Sequence, residues 1–136
     1  MAKNYENLGE AYIVEGTEIL INDKTGGLAC PTFTYKWWGY ELTYYNDEYC
    51  GKMLNMKKDG ETSLHLHAGK HETLIVASGK LELTIVFDKK TQVYILEPGD
   101  AYIMIPGLPH KLKALEDTIV VEASTKDKIN DSVRIE

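Results

Sequence analysis

Two histidines and a glutamate lie close together at His65, His67 and Glu72, and a further histidine, His110, follows a proline-rich turn. Imidazole nitrogen and carboxylate oxygen are the donors that hold borderline divalent ions. Three imidazoles and one carboxylate suit zinc, manganese, iron, cobalt or nickel, and suit calcium or magnesium poorly. His65 and His67 are two apart, so on one strand their side chains share a face. Glu72 comes after Ala68-Gly69-Lys70, which can turn the chain. His110 follows Pro106-Gly107-Leu108-Pro109, a stiff turn that delivers it to the start of another strand. The pattern predicts one divalent transition metal ion held by His65, His67, Glu72 and His110. A lone histidine is usually a surface or core residue with no ligand role. The pairing, the carboxylate and the turn-positioned fourth residue together lift this group above that level. His71, next to Glu72 on the same strand, is expected to face the other way and is not a ligand.

Such a site needs strands to carry it, and the chain supplies many short ones separated by turn residues. Leu42–Tyr45, Lys52–Lys57, Thr73–Val76, Leu81–Phe87, Gln92–Leu96, Ala101–Ile105 and Thr118–Glu122 are rich in β-branched and aromatic residues. Their spacing predicts an all-β sandwich or barrel. Closure into a barrel removes exposed edges and turns alternate residues inward, where ligands from different strands meet. Nearer the start, Ala11–Val14 and Thr17–Ile21 are expected as edge strands, Asn4–Glu10 as a single helical turn and Asp23–Gly27 as a loop. Past Ser124 the chain turns polar and is expected to pack as an arm. The reading is one domain over 1–136, with a barrel core over about 38–124, an N-terminal edge segment 1–37 and a C-terminal arm 125–136.

The bulk properties narrow the function classes. A length of 136 residues suits one domain with a real core. A net charge of −6 argues against a nucleic-acid partner, which needs clustered Lys and Arg. No apolar run approaches the length of a membrane span, and the first residues, Met1-Ala2-Lys3-Asn4, lack a secretory pattern. Cys30 and Cys50 allow one disulfide but no disulfide scaffold, and are expected as packing residues in a cytoplasmic protein.

These residues resemble the cupin superfamily. Its first motif is matched by Gly60, His65, His67, Glu72 and Gly79. Its second is matched by Gly99, Gly107 and His110, with Ile105 where proline is usual and Ala114 in place of asparagine. The resemblance implies a jelly-roll barrel of the double-stranded β-helix type binding one metal ion through His65, His67, Glu72 and His110. A narrower resemblance, through Trp38-Gly39-Tyr40-Glu41, Gly51-Lys52-Met53-Leu54, Val121–Thr125 and Asp131–Arg134, is to the cupin domains of sugar-phosphate isomerases of the mannose-6-phosphate type. The run His65, His67, Lys70, Glu72 is similar to the D-lyxose isomerases.

That resemblance implies a metal-dependent aldose–ketose isomerase acting on a sugar or sugar phosphate. Lys70 is the expected proton mover, its pKa lowered by burial and a nearby cation. Lys52 and Arg134 are expected to grip phosphate or sugar oxygens. Tyr102, with Trp37, Trp38, Tyr40, Tyr44 and Tyr45, is a candidate for a sugar platform, against a plainer role in the core or a dimer interface. Two other readings stand beside it. One is a metal-binding carbohydrate-binding or sensor module without turnover, the other a different metal-cupin enzyme such as a dioxygenase, lyase or epimerase. A homodimer is expected, formed by pairing of short edge strands.

Overall fold

The computed structural model describes residues 5–7, 11–20 and 26–136. Near the start, β1 (Tyr5–Asn7), β2 (Ala11–Val14) and β3 (Thr17–Leu20) form a small antiparallel sheet of their own. The β2–β3 turn has positive φ at both Glu15 (50°) and Gly16 (84°), the backbone that matches the right-handed twist of a two-residue hairpin. The helical turn expected over Asn4–Glu10 gives way to strand at Tyr5–Asn7, which pairs with β2 from Tyr5↔Val14 to Asn7↔Tyr12. Three residues gain little from an isolated helical turn, whereas a neighbouring hairpin offers a full ladder of partners. Asn4, Leu8–Glu10, Ile21 and Asp23–Thr25 lie outside the described residues.

The rest is a two-sheet jelly roll. One sheet has six strands in the order β11 (Ala101–Met104), β8 (Glu72–Ser78), β13 (Thr118–Ser124), β6 (Cys50–Met56), β5 (Gly39–Asn46) and β4 (Thr32–Lys36). The other has five: β10 (Lys90–Leu96), β9 (Leu81–Phe87), β12 (His110–Ala114), β7 (His65–His67) and β14 (Ser132–Arg134). The expected strands are all present. Two more, β4 and β14, were too short or too polar to stand out. The C-terminal arm does not simply lie over the barrel, because β14 joins the sheet beside β7. Among the described residues no helix is long and apolar enough to cross a membrane.

The central strands β6, β8, β9, β12 and β13 alternate between buried and half-buried residues, and the inward phase is divided along the barrel. β6 turns in Lys52, Leu54 and Met56, β8 turns in Glu72, Leu74 and Val76, β12 turns in His110, Leu112 and Ala114, and β13 turns in Thr118, Val120 and Glu122. Leu54, Met56, Leu74, Val76, Leu112, Ala114 and Val120 close one end with Leu81, Leu83, Ile85 and Trp38 as a continuous apolar core. Burying a Leu or Ile there contributes about 1.5–3 kcal/mol each. Gly79, at φ 90°, makes the β8–β9 turn against the Asp117 carbonyl, where a Cβ would collide.

Candidate metal centre and its cavity

His65 and His67 project together from β7 into the polar end of the barrel, and His110 enters from the first position of β12, directly across from His65. The ring centroids lie 4.5 Å apart for His65 and His110, 5.1 Å for His65 and His67, and 5.6 Å for His67 and His110. One nitrogen from each lies within 4.8 Å of the others, close enough to share a metal ion. The turn before His110 is tied to the opposite ligand strand, since Gly107 N donates to His67 O at 2.8 Å. His71 is exposed, apart from this group.

Hydrogen bonds orient two of the rings. His65 Nδ1 meets Ser63 O at 2.8 Å and His110 Nδ1 meets Leu108 O at 2.9 Å. A carbonyl fixes the proton on Nδ1, which leaves Nε2 with a free lone pair. Burial, reinforced for His67 by the Lys70 ammonium, holds His67 down to about 3, and burial holds His110 down to about 4. Burial lowers His65 as well. The imidazoles are therefore neutral near pH 7, the form that binds metal. His110 Nε2, His67 Nδ1 and Glu72 Oε2 are buried without a hydrogen-bond partner. Such atoms are costly unless something completes them, and a divalent cation at the three imidazoles would complete His110 Nε2.

Glu72 Oε1 lies 3.5 Å from His110 Nε2. Its other oxygen lies 3.1 Å from Lys70 Nζ, an ion-pair contact whose alignment falls short of a hydrogen bond. Burial and then the Glu122 carboxylate push the Glu72 carboxyl above the usual range.

These groups face a cavity of about 440 Å³. Lys70 and Lys52 both line it. Lys70 Nζ contacts Glu122 at 3.2 Å and Asp127 at 3.6 Å in addition to Glu72. Lys52 Nζ contacts Asp127 at 3.0 Å and Glu41 at 3.5 Å. Against the lowered Lys70 pKa expected from burial and a nearby cation, the protein groups alone act the other way. Burial does oppose the charge, but Glu122, Glu72 and Asp127 outweigh it and hold the ammonium above its ordinary value. Lys52 is raised in the same way, burial being overcome chiefly by Glu122 and Glu41.

Arg134 and Tyr102 do not line the cavity. Arg134 is exposed on β14 and donates from Nε to Glu136 O at 3.1 Å. Tyr102, on β11, packs against the core cluster and against Tyr94, with ring centroids 5.4 Å apart. Trp38 is buried beneath the cavity, and Trp37 stands at its rim with Nε1 donating to Glu61 O at 2.7 Å. Tyr40, Tyr44 and Tyr45 are absent from the lining. Glu122 was missed in the sequence although a signal exists: it continues the inward row of Thr118 and Val120, so its charge had to enter the barrel. Asp127 carries no comparable signal, being delivered by the arm.

A profile of the cupin domain matches residues 52–123. No curated protein matches the chain. Among solved structures, oxalate decarboxylase from Bacillus subtilis superposes with a TM-score of 0.70 at 17% identity, over 84% of this chain and 33% of that one. The capsular polysaccharide assembling protein CapF from Staphylococcus aureus superposes with a TM-score of 0.69 at 16% identity, over 84% and 33%. The chain thus spans about a third of the length of these structures, and the likeness is one of fold. With more than half its length inside the matched domain, the chain belongs to the cupin family.

Proposed function

We propose that this cupin is a metal-dependent aldose–ketose isomerase for a small sugar or sugar phosphate, with Glu72 as fourth ligand beside His65, His67 and His110. The observation that carries the reading is Lys70, a buried ammonium in contact with both Glu72 and Glu122 inside a cavity walled by charged groups. Alternating carboxylates and ammonium groups match a substrate that presents hydroxyls at every carbon. A divalent ion here would polarise the substrate carbonyl. Isomerisation moves one proton between neighbouring carbons and another between their oxygens, with nothing gained or lost. Lys70, held protonated, is suited to giving a proton to an oxygen and taking it back. Glu122, an acceptor within reach of the same cavity, is suited to the carbon-bound proton. Lys52 steadies substrate oxygens; Arg134 and Tyr102 contribute only if the substrate extends beyond the cavity.

The same ion pairs favour a second reading, carbohydrate binding without turnover, because a lysine saturated by carboxylates has less need to move its proton. A homodimer formed through the β4 edge and a cytoplasmic location complete the proposal, the latter supported by the free thiols of Cys30 and Cys50. The test is to load the chain separately with zinc, manganese, iron, cobalt and nickel, then screen aldoses and their 6-phosphates for ketose formation. Turnover by any loaded form supports the isomerase. Tight sugar binding without ketose formation moves the second reading ahead, and neither result leaves room for either.

A further inference from the structure

The three imidazoles are not oriented alike. His65 and His110 each meet a carbonyl two residues earlier in their own strand or turn, Ser63 O and Leu108 O. His67 has no such partner, and its Nδ1 is buried without a hydrogen bond. The group facing that nitrogen is Asp131, whose Oδ2 lies 3.8 Å away. Asp131 is itself fixed. Its Oδ1 accepts from Gly69 N at 2.6 Å and its Oδ2 from Lys70 N at 3.1 Å, while its carbonyl accepts from Ala68 N at 2.9 Å. The next residue, Ser132, pairs with His67 in the β14–β7 ladder. Asp131 therefore clamps the turn that follows His67 and holds a carboxylate oxygen close to the one Nδ1 of the three that meets no carbonyl.

We infer that Asp131 is the positioning residue for His67: its carboxylate accepts the Nδ1 proton when His67 binds a metal ion through Nε2. The C-terminal arm thereby supplies the orienting group for one of the three imidazoles. A carboxylate behind a ligating imidazole fixes its tautomer and makes the ring a better donor. The distance of 3.8 Å exceeds a hydrogen bond, so the ring and the carboxylate must close by about 0.6–0.9 Å to make one. The inference depends on the metal site and not on what the site does with a substrate.

Zinc affinity of the full-length chain, measured by competition with a chromophoric chelator, tests it. Four proteins are compared: parent, Asp131→Asn, His67→Ala and the double variant. Asparagine keeps an oxygen for Gly69 N–H but removes the anionic acceptor, and thermal unfolding of each metal-free variant establishes that it is folded. Asp131→Asn is expected to weaken zinc binding by about 10- to 100-fold when His67 is present. In the His67→Ala background the same change is expected to shift affinity by less than about twofold, because its effect acts through the missing ring. Equal losses in both backgrounds would mean that Asp131 acts by packing the arm, and overturn the inference. So would an unchanged affinity in the first comparison. A parent chain that binds no zinc would overturn the metal site and this inference together, and the parent measurement alone identifies that case.

Discussion

Lys70 Nζ and Glu122 Oε2 lie 3.2 Å apart, both buried, although the residues are 52 positions apart in the chain. Glu122 comes from the middle of the six-stranded sheet and Lys70 from the turn that links β7 to β8. Their contact joins the two sheets at the floor of the cavity. Removing one partner of such a buried pair leaves the other charge without compensation.

Lys70→Ala is accordingly expected to lower unfolding free energy by about 3–5 kcal/mol, read from urea denaturation. If the chain is an isomerase, kcat also falls by about 10²- to 10⁴-fold, and Lys70→Arg restores stability in part but not turnover, because a guanidinium does not release its proton. A Lys70→Ala variant as stable and as active as the parent would reduce Lys70 to a bystander.

Metal content provides a second check. Purified chain is expected to bind about one divalent transition ion, as read by elemental analysis, with strong loss on His67→Ala and on Glu72→Gln. Retention of a full complement of metal by a His67→Ala, His110→Ala double variant would rule out the assigned ligands.

Acid is expected to destabilise the metal-stripped chain. In the unfolded state the histidines take up protons near 6.5, whereas His67 and His110 resist until about 3 and 4 in the fold. Between these limits the unfolded chain binds more protons, so stability is present at neutral pH and declines as pH falls from about 7 toward 4. Glu72 acts in the opposite sense, since its raised carboxyl gives the folded chain a proton early. Three lowered imidazoles outweigh one raised carboxyl. A thermal midpoint that held steady or rose between pH 7 and pH 5 would contradict this balance.

Assembly can be tested at β4, an outer strand that exposes Phe33 and Tyr35, with Phe33 stacked on Tyr40 at 4.8 Å. An unpaired edge bearing aromatic side chains is a natural partner for its own copy. Light scattering at micromolar concentration is expected to give a dimer for the parent chain and a monomer for a Phe33→Glu, Tyr35→Glu variant. A monomeric parent would refute the pairing.

What could be read in the sequence depended on how local the signal was. His65 and His67 announce a shared face by their spacing alone, and Pro106-Gly107 marks the turn that places His110 at the head of β12. The alternation in β8, β9 and β13 fixed which residues face inward. Lys70 was legible as a neighbour of the ligand set, but the carboxylates that face it were not, because Glu122 and Asp127 arrive from distant segments and oppose the effect of burial. Arg134 appeared a good phosphate grip by residue type; its register opposite His65 puts it on the ligand face, but its side chain is exposed and outside the cavity lining. Tyr5–Asn7 shows the same limit in the backbone: three residues carry no periodicity, and the neighbouring hairpin decided their conformation.

The divided interior of the barrel bears on how such a chain can change over generations. Leu54, Leu74, Leu112 and Val120 hold the sheets together from below, while the residues two positions along the same strands, Lys52, Glu72, His110 and Glu122, reach the cavity. Because the apolar layer is continuous without them, this ring can change while that layer is kept, provided its buried charges change in compensating pairs such as Lys70 and Glu122. On these four strands specificity and foldability occupy adjacent positions, so new chemistry is within reach of paired substitutions at the cavity that leave the apolar layer untouched.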